Sequence, residues 1–80
     1  MFRGYKEKKA MRIKGQVVNI IPDTTYDMGG RPMSYYIYIV QLETGNQVRL
    51  CDKISNSYVE YLGLKMGDIV TVNGLGKLVK

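Results

Sequence analysis

Histidine is absent from the 80 residues, and cysteine occurs once, at Cys51. The first absence removes imidazole acid–base catalysis and imidazole metal ligation. The second leaves no partner for an internal disulfide and no second thiolate for a zinc site. Apolar runs are short, Val17-Val18 and Ile20-Ile21 among them, and none approaches the roughly 18 residues that a membrane-crossing helix needs. The first eleven residues are basic but lack the apolar core of a signal peptide. Secreted domains this small normally carry disulfide staples, so these absences lead us to expect a soluble cytoplasmic protein with no cofactor and no membrane partner. A chain of 9.1 kDa also makes one domain at most. It buries only roughly 60% of the surface its unfolded form exposes, which excludes a large multi-step enzyme.

What is present is a basic excess with a definite location. Lys and Arg number 12 and Asp and Glu 7, for a net charge of +5. Arg3, Lys6, Lys8, Lys9, Arg12 and Lys14 face only Glu7 within the first fourteen residues, whereas residues 15–80 carry six charges of each sign. The opening segment has no face to bury, so residues 1–11 read as a flexible basic arm ahead of a domain at 12–80.

From Arg12 onward, Ile13, Gly15 and Val17 alternate with Arg12, Lys14 and Gln16, the pattern of a half-buried strand. The phase slips at Val17-Val18, which predicts a bulge, and Pro22 is expected to end the strand. Residues 22–34 hold two prolines, a Gly-Gly pair and two aspartates and read as a long loop. Tyr35 to Glu43 is the strongest strand, Thr44-Gly45-Asn46 a turn, and Gln47 to Cys51 a third strand. Ser55 or Asn56 can cap a short helix over Tyr58, Val59, Tyr61 and Leu62, stopped at Gly63 or Gly67. Ile69 to Val72 and Leu75 to Val79, joined by Asn73-Gly74, complete five strands. Five strands with one short helix between the third and fourth is the layout of an all-β, five-stranded Greek-key OB-fold barrel. An SH3-like barrel, the rival, offers no obvious place for that helix.

With Ile37 and Ile39 taken as inward, alternation sends Tyr36, Tyr38 and Val40 outward, beside Arg12, Lys14 and Gln16 of the first strand and Gln47, Arg49 and Cys51 of the third. Aromatic rings among cations suit unpaired bases and their phosphates. The competing reading packs the same tyrosines for structure, with hydroxyls in water. Arg31 and Tyr26, in the loop that flanks an OB-fold groove, are expected to close over a bound strand. Gly29-Gly30-Arg31 lacks the spacing of a P-loop, Asp23 and Asp27 read as turn formers, Met28 and Met33 as apolar loop anchors, and Cys51 as an inert strand residue.

YIVQLETGNQVRL followed by KISNSYVEYLGLKMGDIVTV resembles the S1-type OB domains, a group that includes a small bacterial translation initiation factor. The likeness rests on Val40 and Leu42 before Glu43-x-Gly45, on Val48, Ile54 and Tyr58-Val59, and on Gly67-Asp68 before Val70-Thr71-Val72. It covers a little under half of the chain, and the longer first loop, the basic extension and the short last strand depart from it. The resemblance implies single-stranded nucleic-acid binding on strands two and three, and small single-stranded DNA-binding proteins of phages and plasmids use the same barrel. The expected function is therefore non-catalytic binding of single-stranded DNA or RNA with weak sequence preference. Tyr36 and Tyr38 would stack bases, Arg49, Lys14, Arg12 and Gln47 would line the face, and Arg31 and Tyr26 would close it. The alternative is a protein-interaction module, a homo-oligomer or a partner's binding site, built on the tyrosine-rich strand.

Overall fold

The fold is described from a computed structural model, which covers residues 3–79. Met1 and Phe2 of the expected arm, and Lys80, lie outside these residues. The chain forms α1 (Arg3–Ala10), β1 (Ile13–Tyr26), β2 (Pro32–Leu42), β3 (Gln47–Cys51), β4 (Lys53–Ile54), β5 (Val59–Glu60) and β6 (Ile69–Val72). It is mostly β, as expected. One antiparallel sheet has the order β3-β2-β1-β6, and β4 and β5 pair separately. Among the described residues the strands do not close into a hydrogen-bonded barrel. Among the described residues no helix is long and apolar enough to cross a membrane.

β1 and β2 form the backbone of the fold. Their register shifts between Val17 and Asn19, the bulge that the slipped apolar phase predicts. Pro22, however, does not end β1. It sits opposite Tyr36, whose N–H and carbonyl both turn away to Asp52, so Pro22 occupies a pair that exchanges no ladder bonds. Its missing donor faces the other edge of β1, where β6 has already stopped pairing at Gln16. The expected thirteen-residue loop is therefore mostly strand, and only residues 27–31 turn. There Asp27 Oδ1 accepts from the N–H groups of Gly29 (2.9 Å) and Arg31 (2.8 Å), the turn-forming part expected of it. Beyond Pro22 and Tyr36 the hairpin runs on as a two-stranded arm. The radius of gyration is 14.4 Å, against about 12 Å for a compact chain of this length.

Burial reverses the expected phase of β2. Tyr38 (2% exposed), Val40 (0%) and Leu42 (6%) lie in the core with Val17, Leu50, Val70 and Val72, while Ile37 and Ile39 are only half-buried on the opposite face. The cause is cross-strand register. Directly opposed residues share a face, and Tyr38 faces Leu50, Val40 faces both Val17 and Val48, and Leu42 faces Gly15. A Cβ on Gly15 would stand 2.5 Å from Val40 Cγ1, so glycine is what lets β1 cross so close to β2.

The helix expected after β3 is absent. Ser55 N–H donates to the Tyr58 carbonyl (2.9 Å), closing a small hairpin in which Ile54 pairs with Val59. The Leu62 N–H, which a helix would send back to Tyr58, donates instead to Asp52 Oδ1 at 2.8 Å. Tyr58, Val59 and Tyr61 favour extended backbone as well. The last strand is reduced to one bridge between Val72 and Leu78, followed by a Val79 N–H donated to the Thr71 carbonyl. The expected turn at Asn73-Gly74 is present, its Asn73 Oδ1 accepting from Leu75 (2.9 Å) and Lys77 (3.1 Å) N–H groups. Residues 3–10, expected as a flexible arm, are helical. That helix is held by its end rather than by an apolar face. Gly74 N–H donates to the Lys8 carbonyl at 2.7 Å, where a Cβ on Gly74 would meet the Lys8 backbone at 2.9 Å.

Asp52 is 3% exposed and accepts from Tyr36 N–H (2.8 Å), Tyr38 OH (3.1 Å) and Leu62 N–H (2.8 Å). Asp52→Asn turns an NH2 group toward one of these donors. It should cost about 2–3 kcal/mol, against about 1 kcal/mol for Tyr38→Phe, which removes only one bond. Thermal melting should separate the two variants by several degrees.

Candidate functional site

The residues expected to share one binding face are divided between two. On the outer face of the sheet, cross-strand register sets out successive rows. Ile69, Gln16, Gln41 and Gln47 form one, Asn19, Ile39 and Arg49 the next, then Ile21, Ile37 and Cys51, then Asp23 and Tyr35. Lys14, Gln16, Gln47 and Arg49 are exposed here, as alternation predicts. Lys14, Gln16, Val18, Gln41 and Ile69 also line a shallow groove of about 350 Å3 beside the bulge. The ring that joins them is Tyr35, which the sequence reading passed over. Arg12 is exposed but engaged, its guanidinium donating to the carbonyls of Lys9 (3.2 Å) and Met11 (3.0 Å) at the end of α1.

Tyr36 and Tyr38 face the other way. The buried Tyr38 and the exposed Tyr36 and Tyr61 line a cleft of about 380 Å3 together with Ile20, Leu64 and the exposed Lys65. Tyr36 is 40% and Tyr61 55% exposed. Their ring centroids are 6.2 Å apart, tilted by 51°. The Tyr61 hydroxyl donates to the Ser34 carbonyl at 2.8 Å, fixing the ring against the arm. Tyr61 belongs to the segment misread as helix, which is why it was missed as a site residue. The signal was available, because Asp52 and Gly63 bracket a tyrosine-rich stretch of β-forming residues.

Tyr26 opposes Pro32 and, counting along β1, falls on the same face as Pro22 and Tyr36. With Arg31 it sits at the exposed tip of the arm. Met28 beside them is 91% exposed and anchors nothing, contrary to expectation, whereas Met33 is half-buried on the outer face. α1 and its lysines lie at the opposite end of β1.

Electrostatics distinguish the two faces. Burial, reinforced by the hydrogen bond to Asp52, pushes the Tyr38 phenol up to about 12. On the outer face the Thr24 N–H and then the Tyr35 hydroxyl hold Asp23 below the usual carboxylate range, and that bond raises Tyr35 in turn. Burial and the neighbouring Asp52 and Asp23 raise Cys51, so its thiol is protonated at neutral pH and a poor nucleophile, as expected of an inert strand residue. Comparison with protein-family models, curated proteins and solved structures finds no match to this chain.

The Tyr38 shift has a measurable consequence. The folded chain keeps this proton to about pH 12, whereas an unfolded one releases it near 10, so stability is unaffected by this group below pH 10 and falls as pH rises from 10 toward 12. In a tyrosinate absorbance titration, one phenol should ionise only with alkaline unfolding. Tyr38→Phe should remove that step.

Proposed function

We propose that this chain binds single-stranded nucleic acid, without catalysis, in the cleft between Tyr36 and Tyr61. The observation that carries the reading is the pair of rings itself, two half-uncovered aromatics 6.2 Å apart in a cleft that the exposed Lys65 also lines. Rings left open on an otherwise packed face offer flat surfaces to unpaired bases, at about 1–3 kcal/mol for each base stacked. Lys65 is placed to meet a phosphate. Tyr26, on the same side of the arm, extends the track toward the tip, where Arg31 is exposed. A body with no net charge favours modest affinity with a shallow salt dependence, because few phosphates are neutralised. So few polar groups in the cleft favour weak base preference.

The fold supports the same class of function. The order β3-β2-β1-β6, with residues 78 and 79 bonding back to β6, supports reading the sheet as an opened five-stranded OB barrel. A Cβ on Gly76 would stand 3.6 Å from Val48 Cγ1, so the last segment lies near β3, on the side where such a barrel would close.

Oligo-dT and oligo-U titrations of Tyr36→Ala and Tyr61→Ala should each show binding weakened by about 5- to 150-fold, the range that 1–3 kcal/mol implies, with unchanged circular dichroism. Lys65→Ala should flatten the dependence of log affinity on log salt by about 0.7. Lys14→Ala and Arg49→Ala, on the far face, should bind as the parent does. Parental affinity in the doubly substituted Tyr36/Tyr61 variant would overturn the reading.

A further inference from the structure

We propose that a second copy of this chain docks on the outer face of the sheet, about a two-fold axis at Ile37. The inference is independent of the cleft. Ile37 stands at the centre of the apolar row Ile21, Ile37, Cys51, with Tyr35 before it and Ile39 after it on β2. This row is poorly covered: Ile21 is 37% exposed, Cys51 is exposed, and Ile37 and Ile39 are only half-buried. Apolar side chains side by side on one face of a sheet favour a covering layer.

Charge indicates what the layer is. Arg49 opposes Ile39 on the β3 side and Asp23 opposes Tyr35 on the β1 side, so the two charges lie diagonally across Ile37, one on each side. A two-fold axis in the interface plane, through Ile37 and perpendicular to that diagonal, sets each Arg49 against Asp23 of the second copy. It also brings Ile21 over Ile39, and Tyr35 over Cys51. The patch is thus complementary to itself, which is the requirement for an isologous dimer. Asp23 is ready to accept, because hydrogen bonds from Thr24 N–H and Tyr35 OH (2.9 Å) already hold it ionised and oriented. The strands of the two copies would cross steeply, one of the two ways in which sheets stack. Both clefts would remain open, on opposite sides of the pair.

The patch is small, so the dimer is a micromolar one, and sedimentation equilibrium over about 10–500 µM is the test. The parent chain should shift from monomer to dimer across this range. Arg49→Asp and Asp23→Lys should each weaken dimerisation at least tenfold, and the double reversal should restore it. Ile37→Asp, at the axis, should be monomeric with the parent's circular dichroism, whereas Tyr36→Ala should dimerise as the parent does. A parent chain that stays monomeric at 500 µM, or a folded double reversal that stays monomeric, overturns the proposal.

Discussion

A single buried carboxylate organises this small protein. Asp52 follows β3 directly, and its two oxygens draw in the Tyr36 backbone, the Tyr38 hydroxyl and the Leu62 backbone, tying β2 to the extended segment beyond β5. A body of this size has little apolar area with which to fix a peripheral segment. A carboxylate with several donors does so directionally, and no buried side-chain polar atom among the described residues lacks a partner. Because Leu62 is held there, Tyr61 stands across from Tyr36. The cleft is thus a by-product of how the polypeptide leaves β3.

The sequence was most legible where one strand face is clearly polar. In β1, Lys14 and Gln16 alternate with Ile13, Gly15 and Val17, and in β3 Gln47 and Arg49 alternate with Val48 and Leu50; both faces were read correctly, as was the bulge. β2 is different. From Tyr35 to Val40 both phases are apolar, so alternation carries no information there, and the choice of Ile37 and Ile39 as inward inverted the strand. The deciding signal lay at its end, where Gln41 falls between Val40 and Leu42 and marks even positions as inward. Propensity misled at Pro22, which is compatible with a strand once its missing donor faces an open edge. At 58–62 local spacing suggested a helix, while the competing acceptor that prevents one, Asp52, is a side chain whose orientation only the tertiary structure decides.

Of the expected face, the exposure of Lys14 and Arg49 was legible, but Tyr36 and Tyr38 lie on the opposite side, and Tyr61 and Lys65 of the cleft were not singled out. The result is a sheet with two distinct surfaces. One is concave and aromatic, carrying Tyr36, Tyr61 and Lys65. The other bears amides, isoleucines and separated opposite charges. Strand alternation makes this division unavoidable, since consecutive tyrosines such as Tyr35 and Tyr36 cannot serve the same partner.

The arm is only two strands wide beyond Pro22, and the unpaired backbone groups along its edges would ordinarily be a template for aggregation. Pro22 alters this on the β1 side. A strand approaching that edge meets a ring where it needs an amide hydrogen, and the ladder cannot propagate past it. The residue that looked like a terminator is better understood as a guard, allowing a two-stranded ribbon to project into solvent without recruiting its neighbours.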